Sequence, residues 1–150
     1  MNDRSKCWLA ATLALGIASS AAAQSGPQKL PAIKLTADIH VINAELATTP
    51  EQREIGLMFR PAMGANDGML FAFERAGQQC FWMKNTLIPL SAAFIADDGS
   101  IVNVEAMKPQ TLDGHCSARP VRFVLEMNEG WFARHGIKPG AKLRGTPFAR

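Results

Sequence analysis

The sequence lacks the short motifs that identify the most common enzyme classes. It contains no phosphate-binding loop, no Gly-x-Gly-x-x-Gly dinucleotide motif, no Gly-x-Ser-x-Gly nucleophile turn and no His-Glu-x-x-His zinc motif. Histidine is scarce, because only His40, His115 and His135 are present, and none has the spacing of a metal-ligand pair. The sequence therefore predicts no metal site and gives no indication of a cofactor.

An excess of charge of one sign is also missing. The 150 residues contain 16 Lys and Arg against 13 Asp and Glu, which gives a net charge of +3 at pH 7. The one basic cluster, Arg119 and Arg122, is interrupted by apolar residues and is typical of a solvated strand face. A charge this small and this dispersed predicts that nucleic acid is not a partner.

Long hydrophobic runs are absent apart from one near the N-terminus. Two basic residues precede an apolar stretch over 7–18, and small residues follow at 21–23. The alternative to a signal peptide is a membrane anchor, but a spanning helix needs roughly 20 apolar residues. The pattern therefore predicts a signal peptide over 1–23, cleaved after Ala23, and a periplasmic or secreted protein with no stable membrane span.

The remaining residues are sufficient for one domain. Residues 24–34 contain glycine and prolines and are expected to form a flexible leader. Residues 35–150 are then expected to form a single domain with one hydrophobic core.

Short strands separated by turns dominate this domain. Strand patterns occur over 35–47, 68–73, 80–83, 92–96, 101–104 and 121–127, with a hairpin turn at 97–100. A helix is expected to begin at Thr49, with Gln52 completing a capping box, and to end near Arg60. A second short helix is expected around Trp131. The predicted fold class is mainly β, a compact antiparallel barrel or sandwich with two short helices.

Two cysteines remain after the predicted cleavage, Cys80 and Cys116. In an oxidising compartment, an even number of cysteines in a small domain predicts a structural disulfide. The alternative is a catalytic thiol at Cys116, activated by the adjacent His115. Neighbouring side chains on an extended segment point in opposite directions, which favours the disulfide.

Three methionines in separate elements, Met58, Met69 and Met83, have two interpretations. Thioethers that converge in an exported protein can bind Cu(I). Flexible methionine side chains also fill irregular cores. Because the three are not closely spaced along one segment, core packing is favoured.

Candidate site residues lie on the first helix and at the junction of a strand and a turn. They are Glu51, Arg53 and Arg60 on and after the helix, and Trp82, Lys84, Asn85 and Thr86 in the run 81–90. If the helix packs over the junction, Arg60 and Lys84 form a cationic pocket for a carboxylate, a phosphate or an acidic sugar, and Trp82 provides a stacking wall. The alternative is a set of solvent-exposed charges that contribute little to stability.

Three functions are compatible with such a site. The first is a periplasmic binding or accessory module for a small anionic ligand or an envelope sugar. The second is an envelope enzyme, hydrolase-like, that uses Glu51 or a water held by Asn85 and Thr86. The third is an envelope factor that binds a protein partner. No nucleophile–base pair is evident in the sequence, so binding is favoured.

Five strings of this sequence resemble the family known as domain of unknown function 192. They are GLMFR at 56–60, GMLF at 68–71, FWMKNTLIPL at 81–90, DGSIV at 98–102 and GIKPG at 136–140. The resemblance implies a small, often exported protein with a compact β-rich fold, and it implies no particular activity. The pattern departs from the family at Ser91, where an acidic residue is usual, so no role of that carboxylate is carried over.

Overall fold

The structure, a computed structural model, describes residues 26–148, and the predicted signal peptide therefore lies outside the described residues. Nine strands and two short helices occur within residues 26–148. They are β1 Ala32–Ala37, β2 His40–Ala47, α1 Pro50–Ile55, β3 Asp67–Gly77, β4 Cys80–Phe81, β5 Leu90–Ile95, β6 Ile101–Met107, β7 His115–Cys116, β8 Val121–Asn128, α2 Trp131–Arg134 and β9 Leu143–Arg144. In this part of the chain, no helix combines the length and the apolar character that crossing a membrane requires.

Seven strands form one sheet that curls into a half-barrel, in the order β6-β5-β8-β3-β2-β1-β9. Strands β4 and β7 form a separate two-stranded ribbon. The prediction of a mainly β fold with two short helices is confirmed. One pair departs from the antiparallel pattern, because β2 and β3 run parallel, with Asn43 opposite Asp67 and Ala47 opposite Phe71. Parallel neighbours need a crossover connection, and α1 with the loop after it supplies that connection.

The predicted strand over 35–47 is divided into a hairpin. Asp38 has a φ of 53°, and it turns the chain between β1 and β2, which then pair along their length. Aspartate tolerates this left-handed conformation better than most residues. The alternation of apolar residues continues through both strands, which is why the sequence pattern did not reveal the turn.

Helix α1 begins where the capping signal predicted, but it ends several residues before the predicted end. The Gln52 N–H donates to the Thr49 hydroxyl over 3.2 Å, and the Gln52 side chain accepts from the Thr49 N–H over 3.2 Å. The prediction of an end near Arg60 was wrong, because Gly56, with a φ of 49°, ends the helix after Ile55. A Cβ at Gly56 would lie 3.2 Å from the Phe71 ring, so the close approach of helix and sheet requires glycine.

The predicted flexible leader, residues 24–34, is tied to the fold from Gln28 onward. The Gln28 side-chain amide donates to the carbonyl of Gln52 over 2.8 Å and to that of Gly56 over 2.9 Å. The Gln52 carbonyl also accepts from the Gly56 N–H over 2.9 Å, and Gly56 directly follows α1, so the Gln28 side chain caps the C-terminal end of this helix. Strand β1 then begins at Ala32, inside the predicted leader. The glycine and proline content of this segment carried no information on side-chain hydrogen bonds.

Apolar side chains cover both faces of the sheet. Strand β8 directs Phe123, Leu125 and Met127 into one cluster, which also contains Trp131 of α2. The opposite face holds a second cluster, which contains Val124 of the same strand and is covered by chain segments around Leu57 and Met83. Strand β5, next to β8, is buried at all six of its positions. The centre of the sheet is therefore shielded from solvent on both sides.

Residues 140–144 contact both β6, the first strand in the order of the sheet, and β1, near the opposite end. The Ile101 N–H, at the start of β6, donates to the Ala141 carbonyl over 2.9 Å, and the Gly140 N–H donates back to Ile101 over 2.8 Å. Three residues later, β9 pairs with β1 at the other end of the order, with Ala37 opposite Leu143. This closing segment, residues 140–144, holds the curled sheet together at one end.

Candidate functional site

A disulfide fixes the chain just before the candidate site. Cys80 of β4 lies opposite Cys116 of β7, and their sulfur atoms are bonded at 2.08 Å. The disulfide engages the Cys116 sulfur, so the alternative of a catalytic thiol does not fit this structure. Because β4 is only two residues long, this bond and two ladder positions anchor the start of the run 81–90.

Trp82 lies at the mouth of three openings. Its side chain follows β4 directly and is 48% exposed. Phe81 and Trp82 line a cleft of about 350 Å³ that extends to α1, a cleft of about 190 Å³ that extends to Leu112, and a slot of about 40 Å³ that leads inward. The two larger openings are called the Trp82 cleft below. A half-exposed aromatic ring at the meeting point of concave surfaces is typical of ligand sites.

Arg53 forms a wall of the Trp82 cleft and has little freedom. One guanidinium nitrogen donates to the carbonyls of Thr48, over 2.6 Å, and Ala72, over 2.8 Å. The guanidinium also lies 4.8 Å from the centroid of the Phe73 ring and pairs with Glu74 over 3.3 Å. Because these contacts occupy its donors, Arg53 supplies a fixed polar wall to the cleft, with few donors left for an anion.

The turn that contains Lys84, Asn85 and Thr86 is hydrogen-bonded to the segment that follows α1. The Asn85 carbonyl accepts from the Phe59 N–H over 2.8 Å, and Asn85 has a φ of 54°, which asparagine tolerates. The buried Thr86 hydroxyl donates to the Lys84 carbonyl over 3.2 Å. The Lys84 ammonium lies 5.3 Å from the centroid of the Trp82 ring, within the range of a cation–π contact.

Arg60 lies at a different cleft, of about 570 Å³, which neither Trp82 nor Lys84 lines. Its guanidinium makes two hydrogen bonds of 2.7 Å to the Glu45 carboxylate, and both side chains are 14% exposed. Burial raises the pKa of Glu45, but hydrogen bonds from Arg60 and from the Leu30 N–H outweigh it and leave that pKa below its ordinary value. The pair therefore neutralises the charge of Arg60, and substitutions of Arg60 act first on stability.

The structure thus separates the predicted site residues into two groups. Arg53, Trp82 and Thr86 line one continuous region with the end of α1, and Asn85 supports it through the backbone. Arg60 is held by Glu45, and Glu51 is on the exposed side of α1. Ligand binding by these residues stays a prediction.

A functional candidate that the sequence analysis missed is Glu126. It lies on β8 between Met69 of β3 and Ala92 of β5, and only 4% of its surface is exposed. Within residues 26–148, no hydrogen bond or ion pair reaches its carboxyl group, and burial raises its pKa to about 8. Glu126 lines the narrow slot together with Trp82 and Thr86. Perturbed carboxyl groups at the base of an opening are frequent at functional sites.

A family comparison covers nearly all of the described domain. The DUF192 family, described as "Uncharacterized ACR", matches residues 33–145. The chain belongs to the DUF192 family. None of the curated proteins matches it.

Two crystal structures are similar to this DUF192 chain over most of their length. One is a "putative transcription regulator" from Sinorhizobium meliloti 1021, which is 41% identical, with a TM-score of 0.71, over 75% of this chain and 90% of that one. The other is a protein of unknown function from Novosphingobium aromaticivorans DSM 12444. It is 34% identical, with a TM-score of 0.74, over 87% of this chain and 100% of that one.

The sequence of this DUF192 chain contained an indirect signal for Glu126. Phe123, Leu125 and Met127 alternate with Glu126, which in isolation predicts a half-exposed strand with a solvated glutamate. Residues 90–95, by contrast, show no polar face, and such a strand is typical of a sheet covered on both sides. Glu126 lies opposite Ala92 of this strand, on the side of the sheet that is covered by other segments.

Two of the three methionines belong to the hydrophobic core. Met69 and Met83 are fully buried in the second apolar cluster, where they fill the core of this DUF192 chain. Met58 is half-buried, with its sulfur 4.0 Å from the Asn85 side-chain nitrogen. Core packing therefore accounts for two of the three thioethers.

Proposed function

We propose that this DUF192 chain is a binding module that takes a sugar-like ligand in the Trp82 cleft. The observation that supports the proposal best is the half-exposed Trp82 ring at the mouth of three openings. A sugar ring has an apolar face of C–H groups that packs on an indole, and its hydroxyl groups need polar partners at the edge. Arg53, Glu54 and Gln79 provide such groups around the cleft.

Charge distribution favours a sugar over a strongly anionic ligand. Arg60 is paired with Glu45, and the donors of Arg53 are largely occupied by carbonyls and Glu74. Of the cations predicted for the site, this leaves Lys84, which is exposed and lies over Trp82. One ammonium group suffices for an acidic sugar, whereas a phosphate ligand is usually held by several donors.

Trp82 also provides the test of this function. Trp8 lies in the predicted signal peptide and Trp131 is buried, so in the protein without residues 1–23 a ligand in the cleft changes the emission of Trp82 selectively. We expect saturable quenching by at least one of cellobiose, N-acetylglucosamine disaccharide and N-acetylmuramic acid. Trp82→Ala should weaken the affinity, measured by calorimetry, at least tenfold, because a stacked aromatic ring is a typical binding hot spot.

Leu87→Ala is the matched control for this titration. Leu87 is exposed to a similar extent, 46%, and lies in the same run without lining the Trp82 cleft. It should bind sugar like the unaltered chain. Equal affinity of the Trp82→Ala variant, or no saturable change with any of the three sugars, would overturn the proposal. The second outcome would favour a protein partner on the exposed Trp82 and Leu112 surface.

The proposal includes an extracytoplasmic location after cleavage of the predicted signal peptide. The Cys80–Cys116 disulfide supports this location, since disulfides persist in oxidising compartments. N-terminal sequencing of the protein from the periplasmic fraction should find Gln24 as the first residue. A protein that begins at Met1 and stays in the cytoplasmic fraction would contradict this part of the proposal.

A DNA-binding role, as the description of the Sinorhizobium protein suggests, has less support in this chain. Helix α1 carries two glutamates and one arginine, and α2 carries one arginine. Neither helix presents the basic surface that contact with the phosphate backbone uses.

A further inference from the structure

We propose that the slot above Glu126 is a subsite for one uncharged hydroxyl or hydroxymethyl group, with the Glu126 carboxyl as its hydrogen-bonding floor. The inference rests on the proposed function in one respect, since a sugar on Trp82 is the natural source of such a group. The slot and the buried Glu126 support the subsite independently of that function.

The dimensions of the slot limit what it can accept. Its volume is about 40 Å³, and a single water needs at least about 10–15 Å³. A group of two or three heavy atoms fits, whereas a sugar ring does not. Phe71 and Phe81, whose ring centroids lie 4.8 Å apart, form apolar walls. A ligand ring would therefore stay outside, on Trp82, while one of its substituents enters.

Glu126 differs from every other buried polar residue among residues 26–148. The other four each have a hydrogen-bond partner; they are Gln28, Thr86, Ser91 and Ser117. The Gln28 amide donates to two carbonyls, and the Thr86 hydroxyl donates to one. The Ser91 hydroxyl accepts from the Gly130 N–H, and the Ser117 hydroxyl accepts from the Gln79 N–H. The Glu126 carboxyl has no hydrogen-bond partner in this part of the chain, and Glu126 is one of the residues that line the slot. A buried polar group without a partner is destabilising, and a ligand that supplies the partner removes that cost.

The direct neighbours of Glu126 in the sheet are uncharged. Met69 and Ala92 flank it, and the next ionisable groups in the same row are Glu105, opposite Ala92 on β6, and Glu45, opposite Met69 on β2. Glu45 is paired with Arg60. From the elements packed above, Arg53 and Glu54 line the slot, and Lys84 is exposed on the adjoining turn.

These charges favour an uncharged group in the slot. The guanidinium of Arg53 disfavours a cation, and the carboxylate of Glu54 disfavours an anion. With a pKa near 8, Glu126 is protonated at neutral pH, and a protonated carboxyl both donates and accepts a hydrogen bond. A hydroxyl group has the same dual capacity and is its natural complement.

The test uses methanol, the smallest hydroxymethyl probe, with the full chain and the ¹³C resonance of the Glu126 carboxyl as the readout. Methanol should shift this resonance saturably at pH 6, where Glu126, with a pKa of about 8, is protonated. tert-Butanol, which exceeds the slot, should produce no saturable shift. Equal shifts with both alcohols, or no shift with methanol, would overturn the subsite.

Two variants separate the role of the carboxyl from folding. Glu126→Gln keeps a neutral donor and acceptor, so sugar affinity at pH 6 should stay within threefold of that of the unaltered chain. Glu126→Leu suits the apolar surroundings but offers no hydrogen bond, and it should weaken sugar binding at least tenfold. Sugar binding that needs Trp82 but is unaffected by Glu126→Leu would overturn the subsite and leave the proposed function standing. If methanol binds and no sugar binds, the proposed function is overturned and the subsite stands.

Discussion

Replacement of Glu126 by glutamine is expected to raise the free energy of unfolding by roughly 4 kcal/mol at pH 8 and to leave it almost unchanged at pH 4. Burial raises the pKa of Glu126 from an ordinary value of 4.5 to about 8 in the folded chain. Between these values the unfolded chain releases the proton freely, while the folded chain retains it. The free energy of unfolding of the unaltered protein therefore falls as the pH rises from about 4.5 to 8, and glutamine, uncharged throughout, removes this fall.

Urea denaturation at pH 4, 6 and 8 measures the effect. The comparison between variants matters, because other carboxyl groups titrate in the opposite sense. A hydrogen bond from Lys142 is the main cause that lowers the pKa of Asp98 to about 2, so that residue favours the folded state less as the pH falls. Glu129→Gln, at an exposed position three residues away, is the matched control and should show no pH-dependent gain. A gain from Glu126→Gln that is equal at all three pH values would contradict the assignment of a buried, protonated carboxyl.

Loss of the disulfide is expected to lower the free energy of unfolding by about 4 kcal/mol. Cys80 and Cys116 are 36 residues apart, and the chain-entropy model assigns about this value to closing a loop of that length in the unfolded state. Few other interactions hold β4 to β7 once the disulfide is lost, since the two strands pair over two residues only. Cys80→Ser/Cys116→Ser should therefore unfold at a much lower urea concentration than the oxidised protein.

A reducing agent supplies the control for this prediction. Dithiothreitol should bring the unaltered chain to the stability of the double-serine variant and should leave that variant unchanged. Because Trp82 follows β4 directly, its emission should also shift towards that of a solvated indole before global unfolding. If the reduced and oxidised proteins unfold at the same urea concentration, the cross-link does not stabilise the fold.

The sequence predicted those features whose signals lie within a few residues. The capping box of Thr49 and Gln52, the turn at 97–100 and the mainly β class all depend on local patterns, and the structure contains them. The end of α1 was missed because it depends on contact between Gly56 and Phe71, a residue on another element. The parallel pairing of β2 with β3 was missed for a similar reason, since strand order is set by packing across the sheet.

The candidate site was predictable in part. Trp82 and Thr86 were identified from the junction of a strand and a turn, and they line openings in the structure. The pairing of Arg60 with Glu45 was not foreseeable from their separation of 15 residues. The burial of Glu126 depends on the two neighbouring strands and on the segment that covers them. The pattern of a single strand could therefore not reveal it.

The closing segment, residues 140–144, also determines when the fold can be completed. It follows β1 and β6 by many residues, yet it supplies the contacts that join them. While the chain is being synthesised, both outer strands stay open until this segment has emerged, and open strand edges are templates for association with other chains. Closure through contacts so distant in sequence is slow compared with the formation of local hairpins. The docking of these five residues therefore ends the period in which the edge of β1 and the start of β6 are open to other chains.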